Sequence, residues 1–260
     1  MDSRAAQIER ILAWLYRDEL RHSRVIWRLE YDARLDPPWP YRGLWWDPAG
    51  ALLLDLRGHP RLDGEGPPWF QAAAQDPAAL ELLAALWLPR EALVLANTDL
   101  RPAFAALGEV TVDSTLDVYV CPPGALGDAA LPYAPTRLTT RHRALVAAAD
   151  WRPEDLAAES DEAREGVRWA IIRDEHLVSR LLVQPVCRHF AELSDVHTAP
   201  DRRRRGYAAS LVHGVVRRLH EKGLSATYSV HPDNTPSVAL AQRCGFAPGF
   251  AWQRWRVARG

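Results

Sequence analysis

The residues with the clearest chemical meaning lie between Phe190 and Ala209, where the sequence reads FAELSDVHTAPDRRRRGYAA. The pattern predicts a strand that ends at Pro200, an arginine-rich turn, and a helix that begins at Gly206. A helix N-terminus presents unpaired N–H groups and a partial positive charge. Because Gly206 has no Cβ and Ala208 only a methyl group, a phosphate can approach the backbone there. With the positive charge of Arg202–Arg205, the turn is predicted to bind a pyrophosphate group.

Three segments of this half of the chain resemble the GNAT superfamily of N-acetyltransferases. Arg203–Ala208 matches the family motif (Q/R)-x-x-G-x-(G/A), and Val196–Pro200 looks like the family's V-x-T-x-P strand end. Asn234–Ser237 and Gly245-Phe246 look like its N-x-x-S…G-F signature. The three segments follow the family's order and spacing, which makes the resemblance specific. It covers about residues 132–260.

The resemblance implies a GNAT fold, which is an α/β (α+β) fold with a mixed, mostly antiparallel central sheet flanked by helices. It also implies that acetyl-CoA, or another acyl-CoA, binds where the strands 189–198 and 225–230 splay apart, and it implies no metal. Amides from Arg204 to Ala209 would hold the pyrophosphate. The implied cofactor-binding residues are Val196, Thr198, Arg203, Arg204, Arg205, Gly206, Tyr207, Ala208, Ala209, Asn234 and Ser237.

The resemblance also gives some of these residues individual roles. Backbone groups of Val196 and Thr198 would pair with the pantetheine arm of the coenzyme, and Asn234 would touch the same arm. Ser237 would lie beside the arm, or it would be an ordinary residue at the start of a helix.

The implied chemistry is the attack of an amine on a thioester. A general base is needed because an amine with a pKa of about 10 is mostly protonated at neutral pH. Glu192 is the candidate, because it occupies the strand position of the catalytic glutamate in histone-type members of the family. On a strand without a bulge, Glu192 faces the same side as Ser194, Val196 and Thr198. A solvated or salt-bridged carboxylate is the alternative for Glu192.

Two reserve bases, Asp195 and His197, lie on the opposite face of the predicted strand unless a bulge changes their direction. The backbone N–H of Val196 is a candidate to stabilise the oxyanion. His189, Asp195 and His197 share a strand face, but they form no strong metal-ligand pattern, and we expect no metal site.

The position of the usual acid departs from the family pattern. Many members have a tyrosine four residues after the serine, where this chain has Ala241. Tyr228, on the neighbouring predicted strand, is the candidate that would protonate the departing thiolate. An unassisted departure is the alternative, since a thiol pKa near 8.5 permits it.

The chain of 260 residues is long enough for two domains. We expect an N-terminal α/β domain over 1–120, a linker rich in proline and glycine over 121–135, and the GNAT domain over 136–260. The order of elements in the N-terminal domain is similar to the second half of a GNAT fold, and we interpret this domain as a degenerate copy without a working cofactor site. Arg61–Gly66 also spells R-x-x-G-x-G, but its acidic residues would repel a pyrophosphate, and we interpret it as a loop.

Several local predictions bear on the fold. The sequence predicts a hairpin over 43–46 and 51–56, strands over 167–173, 177–187 and 189–198, and helices over 77–88 and 236–243. The helix that begins near Gly206 is predicted to have an apolar stripe of Leu211, Val212, Val215, Val216 and Leu219. Alternating apolar residues predict a strand over 25–31. Helical periodicity predicts a helix over 153–164, and the C-terminus is predicted to form a strand pair over 246–256.

The composition excludes several classes of protein. Lys and Arg total 32 and Asp and Glu total 33, so the net charge of −1 argues against a dedicated nucleic-acid binder. Three cysteines far apart in the sequence favour a reducing compartment. The apolar runs are much shorter than the roughly 20 residues of a membrane span, and the N-terminus lacks the order of a signal peptide. We therefore expect a soluble cytoplasmic protein with no membrane partner, and the sequence leaves a homo-oligomer open.

Together these features predict an acyl-CoA-dependent N-acyltransferase. The layout of two halves also resembles the glycine N-acyltransferases, and this resemblance implies transfer of an acetyl group from acetyl-CoA to a primary amine of a small molecule or an amino acid. The alternatives are a non-catalytic acyl-CoA-binding protein, an acetyltransferase acting on a protein, and a nucleic-acid-binding module that uses the arginine run.

Overall fold

The structure is a computed structural model that describes residues 4–32, 42–57, 67–127, 131–149, 156 and 166–260. The chain forms two compact units, one of residues 1–117 and 250–260 and the other of residues 118–249. The predicted boundaries differ from these units at the C-terminus, because residues 252–258 pair with residues 91–97 of the first unit. As a division into functional domains, 1–120, 121–135 and 136–260 stays a prediction.

The described residues contain α-helices and strands that we number in chain order. The helices are α1 (Arg4–Leu15), α2 (Glu19–Asp32), α3 (Pro77–Trp87), α4 (Arg101–Ala105), α5 (Arg143–Ala148), α6 (Tyr207–Glu221) and α7 (Thr235–Arg243). The strands are β1 (Gly43–Asp47), β2 (Ala51–Asp55), β3 (Trp69–Ala74), β4 (Glu91–Asn97), β5 (Gly108–Cys121), β6 (Thr136–Arg137), β7 (Val167–Arg173), β8 (His176–Pro185), β9 (Phe190–Thr198), β10 (Ser225–Val230) and β11 (Ala247–Arg259). None of the described helices is long and apolar enough to cross a membrane.

The first unit is built on a mixed sheet with the strand order β1-β2-β3-β4-β11-β5. The strands β1, β2 and β3 pair antiparallel, β3 and β4 pair parallel, and β4 pairs antiparallel with β11. Helix α3 connects the two parallel strands, and it packs on the sheet through Leu80 and Ala84, both fully buried.

The second unit has a sheet with the order β5-β10-β9-β8-β7-β6. The strands β6 to β9 pair antiparallel, and β9 and β10 pair parallel. Helix α6 connects β9 to β10 and buries an apolar stripe that includes Leu211, Val212, Val215 and Val216. The spacing of three and four residues places these side chains on one side of the helix, as the sequence predicted.

Two of the local predictions are wrong. Residues 25–31 belong to helix α2, because Val25, Ile26 and Leu29 are buried at helical rather than alternate spacing. The C-terminus is one strand, β11, instead of a strand pair. Gly249 lies inside β11 without a turn, and it allows a close approach, since a Cβ there would be 3.0 Å from Val120 Cγ2.

The other predicted elements fall into two groups. The hairpin of β1 and β2, the three strands β7 to β9, and the helices α3, α6 and α7 lie within a few residues of their predicted positions. The predicted helix over 153–164 and the motif at Arg61–Gly66 lie outside the described residues, apart from Leu156.

Candidate functional site

The two parallel strands of the second unit separate part-way along their length. Strands β9 and β10 pair from Phe190 opposite Ser225 to Leu193 opposite Tyr228. Beyond this point β9 continues to Thr198 and remains paired only with β8 on its other side. Within the described strands, the β10 side of residues 194–198 is therefore left out of the ladder. The splayed gap that the family resemblance implied is present, and we call it the fork.

A β-bulge lies on β9 where the fork begins. Ser194 pairs with Leu182 and His197 pairs with Arg180, so that Asp195 and Val196 together lie opposite a single residue of β8. Asp195 takes a left-handed backbone conformation with φ of 49°. The extra residue bends the strand and changes the faces to which the following side chains point.

The bulge overturns one prediction about Glu192. Val196 packs against the apolar core on the α6 side of the sheet, together with Leu193. Glu192 is adjacent to Leu193 and therefore lies on the opposite face, where the register also places Ser194 and His197. The prediction that Glu192 shares a face with Val196 and Thr198 is wrong, because it assumed a strand without a bulge.

Helix α6 begins at an exposed glycine. Gly206 is the N-cap residue, with φ of 82°, and no side chain caps the first turn. A Cβ on Gly206 would meet no atom within 4 Å, so the backbone is open on that side. Arg204 is also left-handed, with φ of 62°. Left-handed residues in such a turn direct successive N–H groups toward one concave surface, which suits an anion.

The fork, the turn and the starts of α6 and α7 line one groove of about 640 Å³. Ten of the eleven predicted cofactor-binding residues lie in its wall, and the exception is Arg205, which is exposed nearby. The ten are Val196, Thr198, Arg203, Arg204, Gly206, Tyr207, Ala208, Ala209, Asn234 and Ser237. The reserve base His197 also contributes to the wall.

The wall of the groove is positively charged. Its described residues include four arginines and no carboxylate. Arg203 Nε donates a hydrogen bond to the backbone oxygen of Thr198 at 3.1 Å, which ties the turn to the end of β9. Arg243 was missed by the sequence analysis, because a lone arginine in the last turn of a helix is typical of an interaction with the helix dipole.

The donors in this groove fit the diphosphate of a coenzyme. A Cβ at Gly206 would project into the open space, so the glycine keeps that space free. Helix N–H groups and guanidinium groups both favour phosphate oxygens. The unused edge of β9 supplies backbone donors and acceptors of the kind that an extended amide-containing arm requires.

Comparisons with known proteins give a consistent assignment. The family model described as the acetyltransferase (GNAT) family matches residues 136–246. Residues 136–246 form a GNAT acetyltransferase domain. The family resemblance that the motifs indicated is confirmed, and members of this family typically use an acyl-CoA.

Solved structures show the same fold over most of the chain. A GCN5-related N-acetyltransferase from Kribbella flavida has a TM-score of 0.54 at 19% identity, covering 85% of this chain and 91% of that chain. A Drosophila protein has a TM-score of 0.59 at 14% identity, covering 97% and 96%. A tandem GNAT protein from the clavulanic acid biosynthesis pathway has a TM-score of 0.51 at 15% identity, covering 81% and 79%. The search of curated proteins found no match to this chain.

In the GNAT domain, Glu192 lies at the closed end of the fork. It is half-buried on β9, one residue before the last paired position. Its register neighbours are Gln184 on β8 and Thr227 on β10, so the carboxylate emerges from a polar row across three strands. Glu192 does not contribute to the wall of the groove as described.

Tyr228 lies at the same level of the fork but on the other face of the sheet. It is paired with Leu193, and its ring meets Phe246 edge-on, with 5.8 Å between the ring centroids. Burial raises the pKa of Tyr228, and a hydrogen bond with the Ser237 side chain opposes that rise. The structure therefore brings Tyr228 to Ser237, a residue of the groove, but does not place it on the face of Glu192.

The start of helix α7 explains the arrangement of Asn234 and Ser237. Asn234 is the N-cap residue, and its Oδ1 accepts a hydrogen bond from the Ser237 N–H at 3.3 Å. Ser237 therefore lies in the first turn, where its hydroxyl reaches Tyr228. Ala241, at the position of the usual tyrosine, is fully buried and offers no hydroxyl.

The reserve bases lie farther along β9. Asp195 forms a salt bridge with Arg180, with 3.4 Å between the carboxylate oxygen and Nε. The pKa of His197 is lowered by burial and by the charges of Arg180 and Arg203, and Asp195 partly opposes this effect. His197 is four residues from the last paired position, Leu193, which corresponds to about 13 Å along a strand.

Proposed function

We propose that the GNAT domain transfers an acetyl group from acetyl-CoA to a primary amine of a small molecule or an amino acid by direct attack. The observation that carries the proposal is the continuity of the groove with the fork. One wall has the open N-terminus of α6 and four arginines, and the unused edge of β9 leads from there to Glu192 and Tyr228.

Each part of the groove has a role in binding acetyl-CoA. The N–H groups from Arg204 to Ala209 bind the diphosphate, and Arg203 and Arg205 add positive charge at the turn. Backbone groups of Val196 and Thr198 pair with the pantetheine arm along the edge of β9, as an added strand would. This direction places the thioester at the closed end of the fork.

The chemistry uses both faces of the sheet at that point. The gap lies in the plane of the sheet, so a thioester within it is open to one face at Glu192 and to the other at Tyr228. Glu192 accepts a proton from the attacking amine, directly or through water, as the C–N bond forms. The backbone N–H of Val196, a residue of the bulge, stabilises the oxyanion. Tyr228 donates its proton to the sulfur as the C–S bond breaks, which leaves CoA as a thiol.

Distance favours Glu192 over His197 as the base. His197 lies beside Arg203 and Thr198, at the diphosphate end of the groove, and about 13 Å from the closed end of the fork. Proton transfer needs hydrogen-bond distance or one bridging water. Its lowered pKa makes His197 neutral at pH 7, but its position is wrong for the amine.

The test is thiol release from acetyl-CoA against a broad panel of amines. We expect turnover with at least one small primary amine, and a loss of about 100-fold or more in Glu192→Gln at unchanged CoA affinity. Asp195→Asn is the matched control, because it removes a carboxylate three residues away and asparagine tolerates the left-handed backbone. Full activity in Glu192→Gln together with loss of activity in Asp195→Asn would identify Asp195, and not Glu192, as the general base. No turnover with any amine would reject the catalytic proposal.

A second candidate function is acyl-CoA binding without catalysis. Ala241 favours it, since the usual acid is replaced by a buried methyl group. The two functions differ in one measurement, because a binding protein gives a calorimetric signal with acetyl-CoA but releases no thiol with any amine. DNA and RNA serve as controls. We expect that the protein either does not bind to them or is displaced from them by CoA.

A further inference from the structure

Residues 121–135, predicted as a linker, contact helix α6 at several described positions. We call residues 121–127 and 131–135 the strap. His220 and His213 hold it through hydrogen bonds from Nε2 to the backbone oxygens of Cys121 at 3.0 Å and Gly127 at 2.7 Å. Gly214 admits Pro135 so closely that a Cβ on the glycine would be 2.8 Å from the proline ring.

The strap ends beside the first residue of α6. The ring of Tyr133 packs on the ring of Tyr207, with 4.4 Å between the centroids and 38° between the planes. The guanidinium carbon of Arg173 lies 5.7 Å from the centroid of the Tyr133 ring. Tyr133 therefore lies in contact with both an arginine and Tyr207, and Tyr207 lines the groove.

The first turn of α6 needs support from outside the helix. Its N-cap is a glycine in the left-handed conformation, and no side chain caps the turn. A turn without a side-chain cap frays more readily than a capped one, and frayed N–H groups bind an anion poorly because ordering them costs free energy. Tyr207 is the one residue of this turn with a large side chain, and its buried ring anchors the backbone.

We propose that Tyr133 is a positioning residue for the diphosphate site, because its ring fixes Tyr207 and so holds the N–H groups of the first turn in place. The inference rests on the proposed binding of CoA in the groove. Tyr133 does not touch the diphosphate, and it acts through Tyr207.

The surroundings of Tyr133 make the inference testable by substitution. Tyr133 is half-buried, and it borders an open groove of about 430 Å³ between the strap and α6. Removal of the ring therefore enlarges a space that is already open to solvent, and we expect the fold to survive. Phenylalanine keeps both ring contacts.

The experiment measures the Kd of CoA by calorimetry and the exchange of backbone amides for Tyr133→Ala, Tyr133→Phe and His220→Ala. We expect Tyr133→Ala to weaken CoA binding about threefold to tenfold, and Tyr133→Phe to restore it. The Ser210 N–H, which donates to Gly206 at 2.9 Å, should exchange faster in Tyr133→Ala without ligand. His220→Ala loosens the strap about 20 Å along the helix from Gly206 and should leave the Kd unchanged.

Each outcome has a separate meaning. If the unchanged protein binds CoA and Tyr133→Ala binds it with the same Kd, the positioning role of Tyr133 is overturned but the proposed function is not. An equal loss in His220→Ala and Tyr133→Ala would show a general structural effect and would also overturn it. Failure of the unchanged protein to bind CoA would reject the proposed function itself.

Discussion

Two glycines at opposite ends of helix α6 allow a direct test of the diphosphate site. Gly206 at the N-terminus has φ of 82°, and Gly223 after the C-terminus has φ of 75°. A Cβ at either position would meet no atom within 4 Å. Replacement by alanine therefore imposes similar backbone strain and no clash at both sites, but only Gly206 borders the groove.

The magnitudes follow from these two facts. A non-glycine residue in the left-handed region costs about 1–2 kcal/mol, so both variants should lose about that much free energy of unfolding. In a chain of this size, this corresponds to a fall in Tm of about 2–8 °C. The methyl group at Gly206 also blocks close approach of an anion to the N–H groups. A hydrogen bond to a charged group contributes about 1.5–3 kcal/mol, so losing one weakens CoA binding by about 10-fold to 100-fold.

The assay combines chemical denaturation with calorimetry for CoA. Gly206→Ala and Gly223→Ala should lose similar stability, but only Gly206→Ala should lose affinity for CoA. An equal affinity in both variants and the unchanged protein would refute the diphosphate site at this turn. An equal loss of CoA affinity in both variants would mean that the affinity depends on the stability of the protein and not on the open backbone at Gly206.

Four further predictions concern other parts of the molecule. Tyr228→Phe should lower turnover with the best amine of the panel and leave the CoA Kd unchanged; because burial raises the pKa of Tyr228, any loss of activity from its ionisation should lie above pH 10. Calorimetry should give a stoichiometry of one CoA per chain, because the Asp76 side chain already caps the first turn of α3. Binding of a second equivalent of CoA would contradict this. Burial lowers the pKa of His22 below 6.5, so the unfolded state binds more protons there; the free energy of unfolding should fall between pH 7 and pH 5, and less steeply in His22→Gln. Burial raises the pKa of Cys244 to about 11, so maleimide at pH 7.5 should label it only after denaturation, as followed by mass spectrometry.

The sequence predicted the fold best where the local pattern and the tertiary structure agree. The apolar stripe of α6 can be recognised from the residues of that helix alone. The motif around Gly206 could also be recognised from the sequence, because a glycine, a run of arginines and a strand end fall within ten residues.

The features that the sequence did not predict depend on distant contacts. Trp27 and Tyr31 suggested a strand because they alternate with polar residues, but burial of Val25, Ile26 and Leu29 determines a helix. The bulge at Asp195 depends on the register between β9 and β8, and a register cannot be read from one strand. For this reason the sequence found the residues of the groove but not the face on which Glu192 lies.

The two units contain the same arrangement of a fork and a helix, but only one of the helices has an open start. In the first unit β3 and β4 pair only as far as Gln71 opposite Leu95, and α3 connects them, just as α6 connects β9 to β10. The Asp76 Oδ1 accepts the Ala78 N–H at 2.9 Å, and Pro77 removes another donor.

The connections to these two helices account for the difference. Only Gln75 and Asp76 separate β3 from α3, and both of their N–H groups donate to the Gly50 oxygen. Residues 199–206 separate β9 from α6, which gives the chain room to form a concave turn with two left-handed residues. Asp76→Gly would therefore free the Ala78 N–H, but the N–H groups of residues 75 and 76 would still donate to the Gly50 oxygen. Among the described residues of the first unit, the start of α3 therefore offers fewer free N–H groups to a diphosphate than the start of α6, and the degenerate GNAT-like copy stays a prediction.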